Sequence, residues 1–249
     1  MKKFLKEVEK KLKENRRENP FVVSIYNTKS KVLAVPVPKQ RQISIEGFSF
    51  SENNFIELRK IWKFIYDNSN ILEVRSQSLY FYELKKHNAD LTKYFSDLKG
   101  FVARLDNWAH SDILSDLFSR MLEKDFKKIS PTLSNWNKSK NPWMRRQSIV
   151  SLFYYQKLRT KKPPLNYVLK MVSPLLKDKD YYVQKGVGWT LREAIQAYPK
   201  EVGKFIDQFV NDLSPIAFTT VCEKIGKEKV SQYKLMRKGL RAAKNRVTR

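Results

Sequence analysis

The chain has 249 residues, enough for one extended domain or two small ones with a sizeable core. Hydrophobic residues make up 41% and aromatics 13%, which excludes a disordered polycation, and only 7 glycines argue against glycine-rich phosphate loops. Lys plus Arg number 50 against 25 Asp plus Glu, a formal charge of +25 that favours a polyanionic partner, nucleic acid or an anionic membrane surface.

Residues 2–18 read as a helix, with Phe4, Leu5, Val8 and Leu12 on one face and Lys and Glu over the rest. Residues 26–51 are the least regular. Pro36 and Pro38 interrupt the apolar run 32–38 and exclude helix there. A helical turn can open at Pro38. The alternation of polar and apolar residues over 43–50 fits an extended segment. From residue 52 onward the pattern is helical. Helices are predicted at 54–67, 71–86, 91–105, 108–124, 130–139, 143–159, 165–176, 182–198, 201–209, 215–225 and 228–243, with short connections and Pro or Asn-Pro near several starts. No stretch reads as a central strand, and no linker is rich in Gly or Ser. The expected fold is all-α, a HEAT-like helical-repeat solenoid with a concave basic face, built as a single domain over 1–249. The run 232–249 holds Lys234, Arg237, Lys238, Arg241, Lys244, Arg246 and Arg249 and no acid. A disordered, solvated tail over 237–249 and a phosphate-binding run both stay open for it.

Within 105–193 three segments look like variants of one another. Each has polar or turn-forming residues, then an aromatic, then a helical apolar pattern. Trp108, Trp143 and Tyr182 mark them at separations of 35 and 39 residues, the period of stacked helix pairs. Trp108 and Asp112 are four apart and share a helix face. Two readings stay open: Asp112 caps or pairs with a cation while Trp108 is core, or Trp108 walls a site whose carboxylate is Asp112. Arg145 and Arg146 follow Trp143, and Lys185 takes the place of Arg146 in the next repeat, so a cationic row could track a phosphate backbone. Gly186 and Gly188 are costly inside a helix, roughly 1 kcal/mol each relative to Ala. They imply close approach by a neighbouring helix or a ligand. One cysteine, Cys222, and two histidines, His87 and His110, make a metal centre improbable, and no Walker-type loop is present. No cofactor is expected.

Asn107-Trp108 with Asp112, Trp143-Met144-Arg145-Arg146, and the string Gln184-Lys185-Gly186-Val187-Gly188-Trp189-Thr190-Leu191-Arg192-Glu193 resemble the bacterial AlkD-type DNA glycosylases, helical-repeat proteins of alkylation repair. The run from Val32 to Arg41 resembles that family's turn into a Pro-x-x-Arg segment, although the family's turn is usually glycine-led and here it is Ala34-Val35-Pro36. The resemblance implies that Asp112 is the catalytic aspartate. It also implies that Trp108 and Trp189 line the cleft, that Arg146 holds the backbone near the lesion with help from Arg145 and Lys185, and that Tyr26, Tyr181 and Tyr182 are further aromatic positions. The implied activity is hydrolysis of the N-glycosidic bond of N3- or N7-alkylated purines, with duplex DNA containing alkylated bases as partner and a monomer as the working form. A non-catalytic binder of damaged or branched DNA on the same scaffold is the alternative, and a HEAT-type protein-interaction scaffold a more distant one. No apolar run approaches the ~20 residues of a membrane span, and the N-terminus lacks a signal-peptide core. A cytoplasmic protein, nucleoid-associated when bound to DNA, is expected.

Overall fold

The computed structural model describes residues 1–84 and 90–247, with side chains through residue 238. His87, and the basic side chains at 241, 244, 246 and 249, lie outside the described residues. The helices, in chain order, are α1 (Lys2–Lys13), α2 (Pro20–Tyr26), α3 (Val37–Glu46), α4 (Phe55–Asn68), α5 (Leu72–Glu83), α6 (Phe95–Val102) and α7 (Trp108–Lys124). They continue with α8 (Phe126–Asn137), α9 (Pro142–Val150), α10 (Leu165–Val172), α11 (Tyr181–Ala197), α12 (Pro199–Phe209), α13 (Pro215–Cys222) and α14 (Lys227–Val247). Among the described residues there is no strand, only an isolated bridge between Lys31 and Ile71. The all-α reading therefore holds. Two compact units divide the chain, Met1–Leu117 and Phe118–Arg249, with the boundary inside α7.

In the first unit α5 is the central element: every residue from Leu72 to Tyr82 is buried, including Glu73, Arg75, Ser76, Gln77 and Ser78. Polar side chains in such a place need partners. Gln77 Nε2 donates to the Gln40 carbonyl at 2.9 Å, and Arg75 Nη2 donates to the Arg104 carbonyl at 2.7 Å. Both Glu73 carboxylate oxygens accept the Leu33 N–H at 3.0 Å. An aromatic cluster of Phe48, Phe50, Trp62 and Phe81 fills the space under α1, whose Val8 and Leu12 are fully buried.

In the second unit α11 is central. A Cβ at Gly186 would lie 3.2 Å from Val150 Cγ2 on α9, and one at Gly188 would lie 2.6 Å from the Ala217 carbonyl oxygen on α13. Both glycines thus answer to neighbouring helices, the first of the two explanations open from sequence. The three aromatic markers open their helices, each beside an Asx side chain. Asn141 Oδ1 accepts the Trp143 N–H, Asp180 Oδ1 accepts those of Tyr182 and Val183, and Asn107 Oδ1 accepts that of His110.

Three local expectations are corrected. The helix predicted over 2–18 stops at Lys13, because Asn15 Nδ2 turns back to the Lys11 carbonyl and Asn19 caps a second helix, α2, at Pro20. The segment 43–50 is not extended: α3 runs to Glu46 and ends at Gly47, whose φ of 79° reverses the chain. The helix predicted over 143–159 ends at Val150, and only a 3-10 turn, Gln156–Leu158, follows.

Candidate nucleic-acid interface

In the first unit α2 and the start of α7 hold three of the predicted site residues together. Trp108 Nε1 donates to the Ile25 carbonyl at 2.9 Å, and the indole stacks on Tyr26 with centroids 5.4 Å apart and planes 16° from parallel. Asn27 closes α2 in the left-handed region at φ 45°, as a residue with a short polar side chain can. Burial, and secondarily the charge of Glu73, raises the Tyr26 pKa, so the phenol stays neutral. Asp112 lies one turn beyond Trp108 on the same face and is half-buried.

A second carboxylate nearby, Asp106, has a structural role. It accepts from Thr28 Oγ1 at 2.6 Å, Ser30 Oγ at 3.3 Å and Asn107 Nδ2 at 2.9 Å, with Arg75 Nη1 at 3.5 Å. Burial works to raise its pKa, but those hydrogen bonds and the Arg75 charge outweigh burial and hold it below the usual carboxylate range. It ties the segment after α2 to the start of α7.

In the second unit the predicted cations separate. Lys185 is exposed on α11. Arg146 is only 4% exposed: it lies beneath α11, and its Nη1 donates to the Tyr182 carbonyl at 3.1 Å. Arg145 is turned to Asp178, with Nε at 2.6 Å and Nη2 at 3.1 Å, while its Nη1 reaches the carbonyls of Ser139 and Lys140. That fork joins the end of α8 to the loop before α11. Equivalent repeat positions thus do not share exposure, because α11 covers α9. Trp143 stacks on Tyr182 at 4.7 Å, Tyr182 meets Tyr181 edge-on at 5.2 Å, and Tyr181 is 54% exposed.

Trp189 sits two turns further along α11, half-exposed, edge-to-face with Tyr154 at 4.8 Å and Tyr155 at 5.8 Å. The Arg192 guanidinium lies 5.6 Å from its ring centroid and pairs with Glu223 at 2.6 Å. Among the described residues no helix is long and apolar enough to cross a membrane, and no group of three or more His, Cys, Asp and Glu is placed to hold a metal.

The model of a family described as DNA alkylation repair enzyme matches residues 2–225. The chain belongs to the DNA alkylation repair enzyme family. The resemblance to AlkD-type proteins therefore holds over nearly the whole chain, and it carries a role in DNA alkylation repair. AlkD2 from Streptococcus mutans is similar in structure at a TM-score of 0.59, with 19% identity over 90% of this chain and 98% of that one. The smu.31 protein from Streptococcus mutans UA159 is similar at 0.58, with 18% identity over 90% and 100%. A predicted DNA alkylation repair enzyme from Enterococcus faecalis is similar at 0.63, with 18% identity over 80% and 90%. No curated protein matches the chain.

Around the residues of this alkylation repair protein that sequence reasoning picked out stand others it passed over. Tyr154 and Tyr155 border Trp189, and their adjacency to it depends on the chain reversing after Val150. Glu73 organises the turn before α3 by accepting the Leu33 N–H, 40 residues away in sequence, and leaves no local mark of that role.

Proposed function

We propose that the protein is a monofunctional DNA glycosylase that releases N3- and N7-alkylated purines from duplex DNA. The observation that carries this reading is the pairing on α7: an indole pinned by Ile25 and Tyr26, with the half-buried Asp112 one turn away, in a family of alkylation repair enzymes. An alkylated purine of this class already bears positive charge and needs little general-acid help to leave. The bond from C1′ to the purine nitrogen breaks with its electron pair going to the base. Water adds to C1′, and its proton is lost to Asp112 or solvent. An abasic sugar and a neutral alkylpurine result.

What the protein must supply is stabilisation of the oxocarbenium-like sugar. A carboxylate ~4 Å from that cation, at an effective dielectric of ~20, is worth about 4 kcal/mol. That energy is about a thousandfold in rate. Asp112 supplies it and orients the water. Trp108 on α7 offers a π face to the oxocarbenium-like sugar, worth ~1–2 kcal/mol once desolvated, and Trp189 on α11 offers one to bound DNA. Lys185 and Tyr181, both exposed on α11, contact the DNA backbone, and Arg146 sets the position of that helix from beneath. Asp112→Asn is expected to lower single-turnover release of N3-methyladenine or N7-methylguanine about a thousandfold, with duplex affinity near wild type. Excision at the wild-type rate by this variant would remove Asp112 from the reaction. Binding without excision by the wild-type protein would favour the non-catalytic DNA binder.

A further inference from the structure

We propose that the connection between α9 and α10, residues 151–164, is a second DNA-contact element, in which Tyr155 stacks on an unstacked nucleobase beside Trp189 and nearby lysines hold phosphates. The inference rests on the reading of Trp189 as a DNA-cleft residue.

The first observation is strain in an unusual place. Tyr155 has φ 51° and ψ 78°, the left-handed region. There a bulky side chain is a genuine outlier, and glycine or asparagine would serve the turn at lower cost. The conformation is imposed by its surroundings. Glu193 Oε2 accepts the Gln156 N–H at 3.0 Å, and the Leu158 N–H closes on the Tyr155 carbonyl at 2.9 Å. Further along, Glu123 Oε1 accepts the N–H groups of Thr160 at 2.8 Å and Lys161 at 3.0 Å, and Tyr198 Oη donates to the Pro163 carbonyl at 2.9 Å. The loop is therefore held rigidly at several points, and the tyrosine is presented by it.

Folding does not account for the ring. Tyr155 is 43% exposed, and Leu158 in the same turn is 60% exposed. The ring meets Tyr154 at 76° and Trp189 at 81°, so neither lies flat against it. Flat stacking is left to a group from outside the cluster. Strain retained at an exposed aromatic is the pattern expected of a binding residue. Lys157, Lys161 and Lys162 are exposed on the same connection, with no ion pair among the described residues. Exposed aromatics among unpaired cations suit nucleic acid: the lysines meet phosphate without regard to sequence, and every base offers a π face.

The test compares wild type, Tyr155→Gly, Tyr155→Asn and Tyr155→Phe in fluorescence anisotropy titrations. The probes are a fully paired duplex and the same duplex with one unpaired adenine. Stacking on one base is worth roughly five- to 150-fold in affinity. Gly and Asn are expected to bind the unpaired-adenine duplex about tenfold more weakly, the paired duplex nearly unchanged, and Phe within about twofold of wild type on both. In Gly, relief of the backbone opposes the freer unfolded chain and the loss of the ring's edge contacts, so its Tm is expected within roughly 4 °C of wild type, which separates lost affinity from lost folding. Asn gives the same readout should Gly prove unsuitable. Wild-type affinity in both Gly and Asn, or a loss in Phe equal to that in Gly, would overturn the stacking role. Replacing Lys161 and Lys162 by Ala should lower the salt slope by about two units on both duplexes, and an unchanged slope would remove the loop from the phosphate path. Failure of the wild type to release alkylpurine would end the glycosylase reading, while these binding differences would still decide the role of Tyr155.

Discussion

Ala34 is the residue where local conformation and side chain are most at odds outside the candidate site. Its φ is 57°, in a turn whose Leu33 N–H is held by the buried Glu73 carboxylate. Burial raises the pKa of Glu73, and the backbone N–H groups of Leu33, Ala34 and Val35 pull it back. Three effects compete in Ala34→Gly. Leaving the left-handed penalty gains about 1–2 kcal/mol. The freer unfolded chain costs roughly 0.4–1 kcal/mol, and losing a buried methyl costs about 0.8 kcal/mol. The sum is close to zero, so Ala34→Gly is expected to shift the urea midpoint little. A β-branched Val is far worse suited to positive φ, and Ala34→Val is expected to cost more than about 2 kcal/mol. If Gly cost as much as a buried alanine lost from an ordinary helix, the strain at this position would be refuted. The same reasoning explains why the turn tolerates alanine: the Glu73 carboxylate holds the backbone N–H beside it.

At the scale of elements, α5 and α7 are joined through a buried histidine. His110 on α7 is fully buried. Its Nδ1 accepts from Asn107 Nδ2 at 3.0 Å, which leaves the proton on Nε2 to donate to the Leu72 carbonyl at 3.1 Å, with Ser76 Oγ 3.0 Å away. Burial, aided by the Arg75 charge, lowers its pKa to about 3. An unfolded histidine titrates near 6.5. Between those values the unfolded chain binds a proton that the folded one refuses, so stability is present above about pH 6.5 and is lost as pH falls. At pH 5 the loss amounts to about 2 kcal/mol. Denaturant midpoints between pH 7 and 5 should therefore fall more steeply in wild type than in His110→Gln; parallel slopes would show that the imidazole is not the titrating group.

Legibility at this scale follows the same physics. Helix α7 could be bounded from sequence because Asn107 is a strong cap and the apolar period is regular through Lys124. Helix α2 was hidden: seven residues with Phe21, Val23 and Ile25 all exposed show no apolar stripe. In α3 the exposed Ile45 completes a period-two pattern with Ile43, which imitates a strand. Trp108 and Asp112 could be paired because four-residue spacing decides a helix face. The Arg145–Asp178 fork, 33 residues apart in sequence, and the φ of Tyr155 leave no local mark.

For the whole molecule the excess of 25 positive charges sets two salt dependences of opposite sign. Like charges repel within the folded chain, and added salt screens that repulsion, with a Debye length of about 8 Å at 0.15 M. Salt also weakens the ion pairs that favour the fold. Pairs such as Lys60–Glu57 and Lys63–Asp67 are largely exposed, however, and exposed pairs contribute little. The more buried Arg145–Asp178 fork is less open to screening. The free protein is therefore expected to melt at higher temperature as potassium chloride rises from about 20 to about 300 mM, because screened repulsion outweighs weakened pairs. Duplex affinity should move the other way, since each phosphate neutralised releases counterions and contributes a slope of about −0.9 in log affinity against log salt. Thermal melts of the free protein and anisotropy titrations in the same buffers measure both. A melting temperature that falls with salt would mean that surface pairs, not net repulsion, dominate the electrostatics of the free fold. An affinity indifferent to salt would take the positive charge out of DNA recognition altogether.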